Sequence, residues 1–129
     1  MQITQIKETC LYVEDLDRTQ RFYQEIMNFP LISRVDRRHV FFRAGTSVLL
    51  CFIAEVTQKD TNLPPHYASG RQHIAFECTK AEYEEWKIYF RKHQIEIIAE
   101  TEWHEGYKSF YFHDPDMHVL EIVQQGMWG

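Results

Sequence analysis

The chain has 129 residues, 44% apolar and 26% charged, the balance of one globular domain rather than of a disordered chain. Lys and Arg number 14 against 19 Asp and Glu, for a net charge of −5. No basic cluster forms on any predicted face, which excludes nucleic acid and anionic membrane as natural partners.

The start, MQITQIKETC, has no signal-peptide core, and the longest apolar runs are strand-sized, so the expectation is a cytoplasmic protein. Alternating apolar residues in KETCLYVE predict a strand at about 6–13. Asp15 then stands as an N-cap before Leu16, Phe22, Tyr23, Ile26 and Met27, which recur at helical spacing. Three strands follow, LISRV, HVFFRA and SVLLCFIA, with turns at Asp36-Arg37-Arg38 and Ala44-Gly45-Thr46. A linker at about 56–70 carries Pro64-Pro65 and Gly70. RQHIAFEC is again a strand, and TKAEYEEWKIYFRKH a helix with a capping box from Thr79 to Glu82. IEIIAET, YKSFYFH and HVLEIVQ complete a second set of three strands. Cys10, Cys51 and Cys78 each lie in an apolar run; an odd number without CxxC spacing points to reduced thiols.

The chain is therefore written twice, as a βαβββ module at about 1–55 and another at about 71–126. Each sheet has one face covered by its helix, and the expected fold is α+β, a single domain of two modules making an open cup of mixed sheet with helices outside. The duplication lays Glu8-Thr-Cys-Leu on His73-Ile-Ala-Phe, and Ser47-Val-Leu-Leu on His118-Val-Leu-Glu. Glu8 and His73 hold one address, Leu50 and Glu121 another. Glu121 is unexpected in Val-Leu-x-Ile-Val, because an unpaired charge in a dry interior is costly. Two carboxylates and an imidazole suit one borderline divalent ion, Zn, Ni, Co, Mn or Fe, with positions left open for substrate. Singly, a strand histidine is more often a satisfied core residue, and Glu8 could face water. The shared register is what makes Glu8, His73 and Glu121 a set.

The pattern ETCLYVEDLDRTQRFYQEIMNF, then QHIAFEC, then FYFHDPDMHVLEIVQ resembles the vicinal oxygen chelate superfamily. That superfamily includes glyoxalase I, extradiol dioxygenases, fosfomycin-inactivating thiol transferases and bleomycin-binding proteins. The resemblance implies paired modules around a divalent metal, commonly in homodimers. It places His73 and Glu121 on ligand positions and Glu8 where many members carry histidine. It also sets this chain apart. Leu50 stands where glyoxalase I has a fourth ligand, Cys10 where the fosfomycin enzymes have threonine, and Met117 where a glycine is usual. Ser109 and Tyr111 fall where those enzymes place anion-binding hydroxyls.

The reading that follows is a metalloenzyme acting as a Lewis acid on a small oxygen-chelating substrate, as isomerase, lyase or transferase. Glu121 or Glu8 would serve as base and Tyr111 as a proton-bearing hydroxyl. Ser109, Tyr111, Cys10, Leu50, Trp103 and Arg43 are the expected substrate contacts. His113 and His118, beside Asp114-Pro115-Asp116, are expected as turn and edge residues, and Glu82, Glu84, Glu85 and Lys87 as a solvated helix face. Two alternatives stand beside this reading. One is a non-catalytic binding protein of the bleomycin-sequestering kind. The other is an Fe-dependent ring-cleaving dioxygenase, for which a two-histidine, one-carboxylate set would be needed.

Overall fold

A computed structural model describes all of residues 1–129. The chain divides into two units, Met1–Gly70 and Arg71–Gly129. The first contains β1 (Glu8–Tyr12), α1 (Leu16–Gln20, continued by a π-helical turn over Arg21–Ile26), β2 (Leu31–Val35), β3 (His39–Ala44), β4 (Ser47–Phe52) and a short α2 (Ala54–Thr57). The second contains β5 (His73–Cys78), α3 (Lys80–Lys92), β6 (Ala99–Glu102), β7 (Lys108–His113) and β8 (Val119–Gln124). Each unit has one four-stranded sheet, ordered β1-β4-β3-β2 and β5-β8-β7-β6. The pairs β1·β4 and β5·β8 are parallel, and the rest antiparallel. Both modules have the predicted βαβββ order.

Strand alternation sends successive side chains to opposite faces, and burial shows which face each helix covers. In the first unit Leu11, Val40, Phe42, Leu49 and Cys51 are buried, and the Tyr23 ring packs at a tilt against Phe42, centroids 5.5 Å apart. In the second, Phe110, Phe112, Leu120 and Ile122 are buried with Tyr83 and Phe90 of α3. Tyr83 meets Phe110 at 5.3 Å, and Phe90 meets Phe112 at 4.6 Å.

The helices are held by the predicted caps, but neither matches the expectation throughout. Asp15 Oδ1 accepts the Arg18 N–H at 3.0 Å. The run from Leu16 to Met27 was expected as one α-helix. Instead Met27 N–H reaches back five residues to the Phe22 carbonyl at 3.0 Å, a π-type bond. The widened turn lets the adjacent Phe22 and Tyr23 both be buried, their rings edge to face at 5.0 Å. In α3, Thr79 and Glu82 form the capping box. Its far end closes with Ile95 N–H to Phe90 O at 2.8 Å and Gln94 N–H to Arg91 O at 3.2 Å, with Gln94 at φ 59°. This paired closure is a Schellman motif. It holds Ile95 at the helix end, so the strand expected from IEIIAET begins only at Ala99.

Two further expectations change. Lys87 is not on a solvated face: its side chain is largely buried, 2.7 Å from Glu100 of β6 and 3.4 Å from Glu84. His118 is not an edge residue: it is buried, accepting the Gln72 N–H on Nδ1 at 2.9 Å. Its own N–H donates to Asp114 Oδ1 at 3.0 Å, beside that of Asp116. In β2 the pairing shifts between Leu31 and Ser33, which face consecutive residues Phe42 and Phe41, a bulge with Ile32 as the extra residue.

The segment after α2 is tied back to the first sheet. Arg38 grips Asp60 with two bonds of 2.8 and 2.9 Å, and Tyr12 Oη shares a 2.6 Å bond with His66 Nδ1. The Arg38 hydrogen bonds hold the Asp60 carboxyl below the usual carboxylate range. A folded-state pKa below the unfolded one adds stability that is full above about pH 4 and lost as pH falls through the lowered value. Asp60→Asn should therefore lower the urea midpoint at pH 7, and the deficit should shrink as both proteins are acidified below about pH 4.

Met117 closes the Asp114–Met117 turn with its N–H to Asp114 O at 3.0 Å, and takes φ 65°. A left-handed L-residue costs about 1–2 kcal/mol, from which glycine is exempt. Met117 is 44% exposed, so little packing is lost on truncation. Met117→Gly should stabilise the protein by about 1 kcal/mol, read as a raised denaturant midpoint at unchanged m-value.

Candidate functional site

The two sheets share one register. Glu8 pairs Val48 and Cys10 pairs Leu50; His73 pairs Val119 and Ala75 pairs Glu121. Across the next ladder Leu50 meets Phe41 and Glu121 meets Tyr111. Cross-strand partners share a face, so each sheet has a far face, turned from its helix. On the first it holds Glu8, Cys10, Tyr12, Leu50, Phe52, His39, Phe41 and Arg43. On the second it holds His73, Glu121, Ser109, Tyr111 and His113. Leu50 and Glu121 are thus the same address in the two units, on the face away from the helix.

The second unit brings five of the expected site residues together. His73 Nδ1 lies 2.7 Å from the Val119 carbonyl, which can only accept, so Nδ1 carries the proton. Its Nε2 is 3.3 Å from Glu121 Oε2, the side chains being 50% and 8% exposed. Glu121 stands opposite Tyr111, and Ser109 lies two positions before Tyr111 on the same face of β7. Burial pushes the Tyr111 phenol up, and the nearby Glu121 carboxylate adds to the shift. Trp103 Nε1–H donates to Ser109 Oγ at 2.8 Å. Ser109 is completely buried.

With Nδ1 protonated, a neutral His73 aims a lone pair at a carboxylate oxygen. Two lone pairs at this distance call for a cation between them, either a proton on Nε2 or a metal ion. Bonds of about 2.0–2.2 Å from imidazole and carboxylate to one ion leave the two donor atoms roughly 3 Å apart, so the pair fits a shared ion. No group of three or more His, Cys, Asp or Glu side chains is set to hold a metal; His73 and Glu121 are two donors.

Glu8, Cys10, Leu50 and Arg43 belong to the first unit. Glu8 and Arg43 are exposed and flank Val48 on one row. The Cys10 thiol is pushed up by burial, with Glu8 adding to the shift, which disfavours the thiolate a nucleophile needs. Farther along this face His39 stacks on Phe41 at 3.9 Å, and Phe52 lies 5.3 Å from Phe41 and 4.8 Å from His66. This aromatic row was missed from sequence, as was His113, although positions 109, 111 and 113 show the period of two that places His113 beside Tyr111.

The chain matches the family model described as the Glyoxalase/Bleomycin resistance protein/Dioxygenase superfamily over residues 5–122. A curated relative, metallothiol transferase FosB of Staphylococcus epidermidis, is 26% identical over 95% of this chain and 82% of its own length. The crystal structure of lactoylglutathione lyase from Agrobacterium tumefaciens is 32% identical with a TM-score of 0.94, over 98% of each chain. That of the fosfomycin resistance protein FosX from Listeria monocytogenes shares the fold at a TM-score of 0.72, with 24% identity over 98% of each chain.

The Val119 contact generates a prediction that needs no ligand. In ion-free protein, nitrogen-15 NMR of neutral His73 should show the Nδ1–H tautomer, and it should persist in Glu121→Ala because Val119 dictates it. An Nε2–H tautomer would show that Glu121 governs the ring instead.

Proposed function

The chain belongs to the Glyoxalase/Bleomycin resistance protein/Dioxygenase superfamily, and from that premise we propose that it is a divalent-metal-dependent enzyme acting on a small substrate bound through oxygen. The observation that carries this is the His73 Nε2–Glu121 Oε2 pair, 3.3 Å apart, a separation that one shared ion can span. A transferase and a lyase among the relatives support an enzymatic rather than a storage role. The ion when bound supplies Lewis acidity toward a developing enolate or oxyanion. Zn, Ni, Co, Mn and Fe all suit the donor set.

The chain's own residues have distinct tasks. Val119 orients His73, as carbonyl partners do for ligand histidines. Glu121 brings a negative charge into a buried position, and Tyr111 stands opposite it on β7. We propose Glu8 as the third donor, because it has in the first unit the register position that His73 has in the second. Leu50 at the address of Glu121 then leaves coordination free for substrate oxygens. In this reading both units serve one domain, and the homodimer is the working state, supported by the exposure of Ile3, Ile6, Leu31, Ile32 and Val35. Three free cysteines support a reducing cytoplasm. No helix is long and apolar enough to cross a membrane.

The aromatic row of the first unit favours a second reading, a binding protein that grips a planar ligand without turnover. Metal analysis of protein purified without chelator, followed by calorimetric titration with Zn²⁺ and Mn²⁺, separates the two. One ion per chain is expected. His73→Ala, Glu121→Gln and Glu8→Gln should each weaken it by more than the roughly tenfold that loss of an outer partner causes. Absence of stoichiometric binding in the unaltered protein would leave the binding-protein reading.

A further inference from the structure

The ladder between β5 and β8 is open at its start, and a side chain closes it. Gln72, one residue before β5, accepts the Val119 N–H on its carbonyl at 2.9 Å. Its own N–H faces the same neighbour, where a parallel ladder would offer a main-chain carbonyl. β8 begins only at Val119, and Met117 is still in the turn at φ 65°. The His118 imidazole stands in for the missing carbonyl, with Nδ1 accepting the Gln72 N–H at 2.9 Å. His118 is 1% exposed, which keeps water from competing for that bond. Its main chain is fixed in turn by the buried Asp114, whose Oδ1 accepts the N–H groups of Asp116 and His118, both at 3.0 Å.

Everything held in this way borders His73. Gln72 precedes it in the chain, and Val119, which follows His118, has its carbonyl 2.7 Å from His73 Nδ1. We propose that His118 is a positioning residue for His73, and that its imidazole, anchored by Asp114, keeps the Val119 carbonyl where it takes the His73 Nδ1 proton. The two neutral rings must then hold opposite tautomers. His73 gives its Nδ1–H to a carbonyl, whereas His118 keeps a lone pair on Nδ1 for an amide and its proton on Nε2. An apolar side chain at 118 would deprive the Gln72 N–H of this acceptor and loosen the start of both strands. Outer partners of this kind set the ring orientation of a ligand histidine. The proposal rests on the reading of His73 as a metal donor, and adds to it the residue that fixes the donor's own support.

The test uses the full chain, first ion-free and then with Zn²⁺ alone. Nitrogen-15 NMR of the unaltered protein should show neutral His118 as the Nε2–H tautomer; Nδ1–H at that ring would overturn the proposal. His118→Leu keeps bulk and removes the acceptor, while His118→Asn retains an acceptor on a shorter side chain. In His118→Leu the Gln72 amide should exchange faster with solvent, and His73 should become a mixture of tautomers. Zn²⁺ should then bind about tenfold more weakly. His118→Asn should recover most of each property, and a variant no better than His118→Leu would overturn the proposal. A merely structural role would lower the denaturation midpoint and leave the His73 tautomer and Zn²⁺ affinity unmoved, which also overturns it. Should His118→Leu fail to fold, the His118 tautomer in the unaltered protein decides by itself. If the unaltered protein binds no Zn²⁺, the metal centre falls, and the His73 tautomer in the ion-free variants still decides the role of His118.

Discussion

The parallel pairing of β5 with β8 is the constraint on which the site depends. It puts His73 against Val119 and Ala75 against Glu121, so the imidazole and carboxylate are neighbours on one face. It also supplies the Val119 carbonyl that fixes the ring. A slip by one residue would turn Glu121 toward α3 and bring Leu120 or Ile122 out. The packing of Phe110, Phe112, Leu120 and Ile122 with Tyr83 and Phe90 opposes such a slip, because the charge would then displace an aromatic core. Hydrophobic burial on one face thereby enforces chemistry on the other.

Glu121 shows how a carboxylate is kept in such a place. Its side chain is nearly out of water, where an isolated charge would be strongly disfavoured. The imidazole edge of His73, 3.3 Å away, supplies part of the compensation.

Much of this was legible in the sequence, because strands have a period of two and the duplication doubled the signal. Aligning Glu8 with His73 and Leu50 with Glu121 puts all four on the faces that the strand pairing gives them. Asp15 and Thr79 were readable as caps because their side chains act on backbone only a few residues away. What escaped depends on contacts distant in sequence or on backbone detail. Lys87 looked solvated until Glu100 met it from β6. His118 looked like an edge residue because its partner, Gln72, lies 46 positions earlier. The π-turn left no trace in apolar spacing, since Phe22, Tyr23 and Met27 suit either helix.

The bulge at Ile32 bears on how the molecule meets its neighbours. β2 is an outer strand whose Leu31, Ile32 and Val35 are exposed, the kind of margin that recruits further strands and seeds fibrils. Such growth requires an unbroken row of evenly spaced amide and carbonyl groups. An extra residue breaks that row and increases the local twist, so a fifth strand would find its ladder out of step. Association at this margin is thereby directed to side-chain packing, which is reversible, rather than to backbone templating. A single surplus residue allows the margin to remain greasy without becoming a nucleus for aggregation.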